Sequence, residues 1–217
     1  MENYFEIDEP IKKRGFTIGK LLKFIVGALI IFMLGTIVVR CSLYSDDKIV
    51  KKVLVNEVTR TAYQENPEDF AVEKYGIKKS WIDVSQGRII EFKELYHIKE
   101  AKQLQFCVKY KMDIAEYVDD TTGIPFKFTL VDNYSISYTD YFFEQKEKHG
   151  YNYIRLCFEN IELVDEKKAP NSAGLPARKT YTLLVDRLEE DGSYRELCRA
   201  EIYSGSGVSK PVKVNIK

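Results

Sequence analysis

The sequence predicts a mainly β protein: one transmembrane α-helix, one or two short helices, then an antiparallel β-sandwich of immunoglobulin-like type. Three observations carry that reading. Leu21 to Val39, LLKFIVGALIIFMLGTIVV, is a run of 19 residues with one charge. From Trp81 onward the apolar residues alternate with polar ones at a period of two. Turn-forming clusters separate these runs every ten to fifteen residues, as in all-β sandwiches.

The apolar run suits a membrane. At about 1.5 Å per residue it forms a helix of roughly 28 Å, close to the ~30 Å hydrocarbon core of a bilayer. Its one charge, Lys23, lies near the end, where the ammonium can snorkel to the headgroups. The sixteen residues Phe24 to Val39 are all uncharged, which is unusual for a buried core helix. A cleaved signal sequence fits less well, because Val38, Val39 and Arg40 give no small-x-small cleavage site. Arg40 also occupies the place before Cys41 where a lipoprotein signal wants a small residue. Residues 20–40 are therefore expected to be an uncleaved signal-anchor. Five basic residues flank its N-terminal side (Lys12, Lys13, Arg14, Lys20, Lys23) and four its C-terminal side (Arg40, Lys48, Lys51, Lys52). With the short leading segment, this places the N-terminus in the cytoplasm and the large domain outside. Gly27 and Gly35 stand eight apart, so no GxxxG packing motif is present.

Around the anchor the chain divides into three further parts. Residues 1–19, with Pro10 and Gly15, read as a disordered cytoplasmic tail. Residues 41–66 read as a juxtamembrane stem, partly helical on the stripe Ile49, Val50, Val53, Leu54, Val58 and Ala62, with a strand at 52–55 as the alternative. Residues 67–217 read as the sandwich. Asn66-Pro67-Glu68-Asp69 carries a helix start signal that Gly76 would close, with a strand over 70–77 as its rival.

In the sandwich, Leu104, Phe106, Val108 and Tyr110 share a face opposed by Gln105, Cys107 and Lys109. Phe126, Phe128 and Leu130 form a second run, Ile154, Leu156 and Phe158 a third, Val212, Val214 and Ile216 a fourth. Each predicts an apolar face turned inward and a polar face turned to water. Asp191-Gly192-Ser193 joins Tyr181–Leu188 to Tyr194–Tyr203 as a hairpin. The Cys…Trp…Cys spacing of true immunoglobulin domains is missing, since the single Trp81 precedes Cys107, Cys157 and Cys198. Those cysteines are expected to be free thiols, with a Cys107–Cys157 bridge as the alternative.

Composition narrows the chemistry. The chain has 33 basic and 33 acidic residues; six and four of these lie up to Arg40, leaving 27 against 29 beyond it. That net −2 excludes the clustered basic surplus a nucleic-acid binder needs. No CxxC pair is present and the only imidazoles, His97 and His149, stand about fifty residues apart, so no metal site or cofactor is expected. Neither histidine has a nucleophile motif beside it, and both read as surface or turn residues. Asp119 to Gly123 reads as a turn rather than a calcium loop. No catalytic residue is assigned. The densest aromatic stretch, with Tyr138, Tyr141, Phe142, Phe143, Tyr151 and Tyr153, is the first choice for a binding face, though sandwich packing uses such residues equally well. Asn133-Tyr134-Ser135 fits an N-glycosylation sequon.

RCSLYSDDKIVKKVLVNEVTR, FKELYHIKEAKQLQFCVKY and YTDYFFEQKEKHGYNYIRLCFENIEL together resemble uncharacterised single-pass membrane-anchored proteins of anaerobic Firmicutes. The resemblance spans nearly the whole chain and carries no functional motif. It implies a bacterial plasma membrane, an extracytoplasmic domain and no glycan on Asn133. The function expected is a non-catalytic binding or scaffolding module with the lipid bilayer and an envelope protein as partners. An envelope hydrolase or transferase using carboxylates is the alternative, and a sensor or transport accessory subunit is a third.

Overall fold

The computed structural model describes residues 18–85, 87–164, 177–205 and 209–214. It falls into two compact units, Met1–Ser45 and Asp46–Lys217. In the first, α1 runs Ile18–Tyr44, 27 residues long. Its apolar window has a mean hydropathy of 2.5 and no residue of that window is buried against protein, so by length and composition it is a helix able to cross a membrane. The expected tail, residues 1–19, lies almost wholly outside the described residues.

Among its described residues the second unit holds α2 (Asp47–Val50), α3 (Glu57–Glu65) and eleven strands. The strands are β1 (Val72–Tyr75), β2 (Trp81–Ser85), β3 (Arg88–Ile98), β4 (Gln103–Lys111), β5 (Phe126–Asp132), β6 (Ser137–Tyr138), β7 (Tyr141–Lys148), β8 (Tyr151–Phe158), β9 (Tyr181–Leu188), β10 (Tyr194–Tyr203) and β11 (Lys210–Val212). They form two antiparallel sheets packed together. The larger follows the order β11-β1-β3-β4-β8-β7, with β2 beside β3; the smaller follows β10-β9-β5-β6.

The main core lies between the sheets. Phe92, Phe106, Val108, Ile154, Leu156 and Phe158 from the larger sheet meet Phe126, Phe128, Leu130, Leu183, Val185 and Ile202 from the smaller. The alternation read from β4, β5 and β8 thus assigns the inward residues correctly. The β9–β10 hairpin also closes at the expected residues. Gly192 takes φ +78°, a left-handed conformation that only glycine adopts cheaply, and Asp191 Oδ1 accepts the Ser193 amide at 2.9 Å.

The other faces of the two sheets differ. On β5 and β9 the intervening residues are half-buried or exposed, as a wet face requires. On β4 and β8 nearly every residue is buried, including Gln103, Gln105, Cys107, Arg155 and Cys157. The expectation that this polar face meets water is therefore corrected. The reason is the stem: α2, the segment 51–56 and α3 lie across it as a third layer.

The compact unit accordingly begins at Asp46 rather than at 67, and residues 46–66 belong to the domain. Between the helices the stem is non-helical from Lys52 to Val55, which interrupts the continuous helix its apolar stripe suggested. The helix expected from Asn66 is absent. Capping falls instead to Asn56, whose Oδ1 accepts the Thr59 amide at 2.9 Å, while Asn66 closes α3 by donating its amide to Ala62 O at 3.2 Å. The strand rival over 70–77 is the one realised, as β1. Of the fourth alternating run, Val212 lies in β11, whereas Ile216 falls outside the described residues.

Candidate functional site

One irregularity in β3 builds the site. Lys93 pairs with Cys107 but Tyr96 with Gln105, so one extra residue sits in β3, and Glu94 there has φ +52°. Before the bulge Ile90 and Phe92 point to the core; after it Tyr96 and Ile98 turn to the outer face and His97 turns inward, opposite Leu104. His97 is therefore 6% exposed, not the surface histidine expected. Its Nε2 lies 3.4 Å from Ile161 O, and Glu73 of β1 stands directly opposite in the register. Burial lowers its pKa below the ordinary 6.5, partly offset by the Ile161 carbonyl and the Glu73 charge, which leaves the imidazole neutral at pH 7.

His97 opens into a cavity of about 450 Å³, lined also by Glu73, Tyr75, Lys99, Arg178 and Tyr203. Tyr75 donates to Glu73 Oε2 at 2.5 Å and packs edge-on against Tyr203 with ring centroids 5.3 Å apart. Arg178 Nη1 lies 3.4 Å from the Tyr203 hydroxyl. At the rim Lys102 pairs with Glu162 at 2.5 Å, and Tyr181 donates to the Glu162 carbonyl at 2.7 Å. Burial raises the pKa of both Tyr75 and Tyr203, so both phenols stay protonated. The volume falls in the range of small-molecule sites, and two carboxylates, a neutral imidazole, two phenols and three cations line it. Such a set can hold a small polar ligand by hydrogen bonds; its donors outnumber its acceptors, which suits carboxylate or carbonyl groups.

The six aromatic residues chosen from the sequence are not gathered into one surface. Tyr141 and Phe143 of β7 pack on the main core, Tyr141 lying 5.2 Å from the Phe158 ring. Tyr138 belongs to the smaller sheet and meets Tyr181 at 6.0 Å. Phe142 stands opposite Cys157 on the outer face. Tyr151 and Tyr153 lie on that face with Val50 and Cys107, and Lys109 sits 4.6 Å above the Tyr151 ring. His149 is exposed in the turn between β7 and β8, with φ +53°.

Among the described residues no group of three or more metal-ligating side chains is present, and all four cysteines are free. Cys107 and Cys157 are fully buried, and burial pushes the Cys107 thiol up to about 11 and the Cys157 thiol higher still. Neither is a nucleophile at neutral pH. Asp119 forms the expected turn, its Oδ1 accepting the amides of Thr121 and Thr122 at 2.9 and 2.8 Å.

Sequence reasoning missed the cavity because it took His97 as a surface or turn residue. A signal was present: the inward residues step by two from Ile90 to Phe92 and by three from Phe92 to Leu95, which marks a bulge. No family model matches the chain, and no curated protein or solved structure matches it.

Proposed function

We propose that the chain is a single-pass, membrane-anchored binding module of a bacterial envelope, with α1 as an uncleaved anchor, the N-terminus inside and the β domain outside. The length and apolarity of α1 support the anchor, and the two sheets packed over one core support the immunoglobulin-like sandwich. The observation that carries the binding reading is the His97 cavity, where polar groups from β1, β3, β10 and the Arg178 segment converge on a space of about 450 Å³. The ligand is a small polar molecule bearing carboxylate or carbonyl oxygens, received by Arg178, Lys99 and the Tyr203 hydroxyl. Its occupancy, presented to an envelope protein, is the module's output.

Two measurements test this reading. In intact cells, with Cys41 replaced by serine, a cysteine introduced for exposed Glu190 is expected to react with an impermeant maleimide, and one introduced for Glu6 is expected to be spared. The reverse pattern overturns the topology. In a deletion strain, the double variant Glu73→Gln/Arg178→Ala, present at wild-type level in the membrane, is expected to fail in complementation. Full activity of that variant removes the cavity from the account.

A further inference from the structure

A second cavity, of about 570 Å³, opens on the outer side of the larger sheet. Its lining brings together Lys51, Lys52, Arg60 and Lys213, with Glu144 as the single acid among the described residues. The domain as a whole carries 27 basic against 29 acidic residues, so this concentration of cations runs against the balance of the body that bears it.

The cations are weakly committed to other partners. Lys52 pairs with Glu144 at 2.5 Å and Lys51 with Asp47 at 2.7 Å, yet all four side chains are more than half exposed. Exposed pairs of this kind contribute ~0–1 kcal/mol and exchange readily for a stronger anion. Arg60 and Lys213 take part in no ion pair among the described residues.

Position along the chain then identifies the anion. Lys51 and Lys52 follow Tyr44, the last residue of α1, by seven and eight residues, and four of the intervening residues are helical. So short a tether makes these two lysines juxtamembrane in sequence. Wherever α1 is anchored, the phosphates of its own bilayer are the most concentrated anions these side chains can reach.

We propose that this cavity binds the phosphate headgroups of anionic phospholipids in the membrane that holds α1, a proposal that rests on reading α1 as a membrane anchor. Three lysines and an arginine near an anionic leaflet each add about fivefold to the attraction. A phosphodiester suits the site because Arg60 can offer two parallel N–H donors while the lysines act as point charges. Val72 of β1 points to the outer side with Val53 and Val212, whereas Glu73 points into the His97 cavity. Headgroups held at the outer side leave the His97 cavity on the opposite side of β1, open to the medium.

The test uses the full chain in nanodiscs of phosphatidylcholine, with and without phosphatidylglycerol, read by hydrogen exchange of the segments 51–60 and 210–214. The expected result is slower exchange of both segments in the anionic discs, by about fivefold or more at low ionic strength, reversed by salt. The variant Lys51→Gln/Lys52→Gln/Arg60→Gln/Lys213→Gln is expected to show a ratio near one while still entering both discs. Equal exchange of the wild-type segments in the two discs overturns the proposal. So does equal protection by soluble glycerol phosphate in phosphatidylcholine discs, which assigns the site to a free phosphate. A chain that enters neither disc refutes the anchor itself and is distinguished from both by the absence of co-migration.

Discussion

The two faces of the larger sheet are built on different physics. The inner face is mainly apolar: Phe92, Phe106, Val108, Ile154 and Leu156 meet the smaller sheet. The outer face is buried to the same degree but is held largely by hydrogen bonds to a single strip of backbone. Gln105 accepts the Leu54 amide at 2.8 Å and donates to the Leu54 carbonyl at 2.9 Å, so its side-chain amide serves as a strand partner for that one peptide. Gln103 donates to Asn56 Oδ1 at 3.0 Å, and Tyr96 reaches the Lys51 carbonyl at 3.5 Å. Arg155, 3% exposed, donates through Nη2 to the carbonyls of Ile49 and Val50, the open end of α2. Asp46 takes Lys109 at 3.3 Å and Tyr153 at 3.3 Å. The inner face follows the local alternation of β4 and β8. The outer face exists only while the stem lies on it.

Removing the stem is the severest way to break this comparison. A chain beginning at Pro67 loses Val50, Val53 and Leu54, each worth about 1.5–3 kcal/mol in burial, and strands their polar partners. Its stability is expected to fall by roughly 5–9 kcal/mol relative to one beginning at Asp46, measured by denaturant unfolding. Equal midpoints would reduce the stem to a passive linker.

Two adjacent residues of β4 sharpen the contrast. Phe106→Ala opens a cavity in the inner core and is expected to cost about 3–5 kcal/mol. Gln105→Ala leaves the buried Leu54 amide and carbonyl without partners and is expected to cost about 1–3 kcal/mol. The two differ in kind as well as size. Phe106→Ala lowers the unfolding midpoint of the whole domain, whereas Gln105→Ala also lets the buried Cys107 react with a maleimide under native conditions, because it loosens the layer above that thiol.

Much of this architecture was legible in the sequence, and the part that was not has a physical reason. Strand positions and inward residues follow from alternation, a local property, and the Asp191-Gly192-Ser193 turn carries its own conformational requirement. What Gln105 and Arg155 do depends on Leu54 and Val50, 51 and 105 residues away in the chain. Their polarity reads as solvent exposure because nothing nearby in sequence shows that backbone will cover them. The His97 cavity was hidden by a single inserted residue, since a bulge at Glu94 reverses the face of everything after it. The aromatic stretch is divided for the opposite reason: alternation along β7 sends its members to two faces, and Tyr138 lies in another sheet.

The smallest expected effect concerns pH. His97 is buried with a lowered pKa, so the stability it contributes is fully present above 6.5, the ordinary value, and declines as pH falls, because the unfolded chain takes up the proton first. His97→Gln is expected to flatten the acid side of the stability profile below the ordinary 6.5. An unchanged slope would mean that His97 is solvated and not part of a closed site.

The most direct test of the third layer is the exchange rate of one amide. Leu54 donates its amide to a side chain and belongs to no helix or strand, so as part of a loose stem it would exchange at the rate of an exposed loop. Measured by hydrogen exchange on the full chain in a bilayer, the Leu54 amide is expected to be protected to the same free energy as the amides of β4 and β8, opening only when the domain unfolds. Exchange of Leu54 at a loop's rate, with β4 and β8 still protected, would contradict the account.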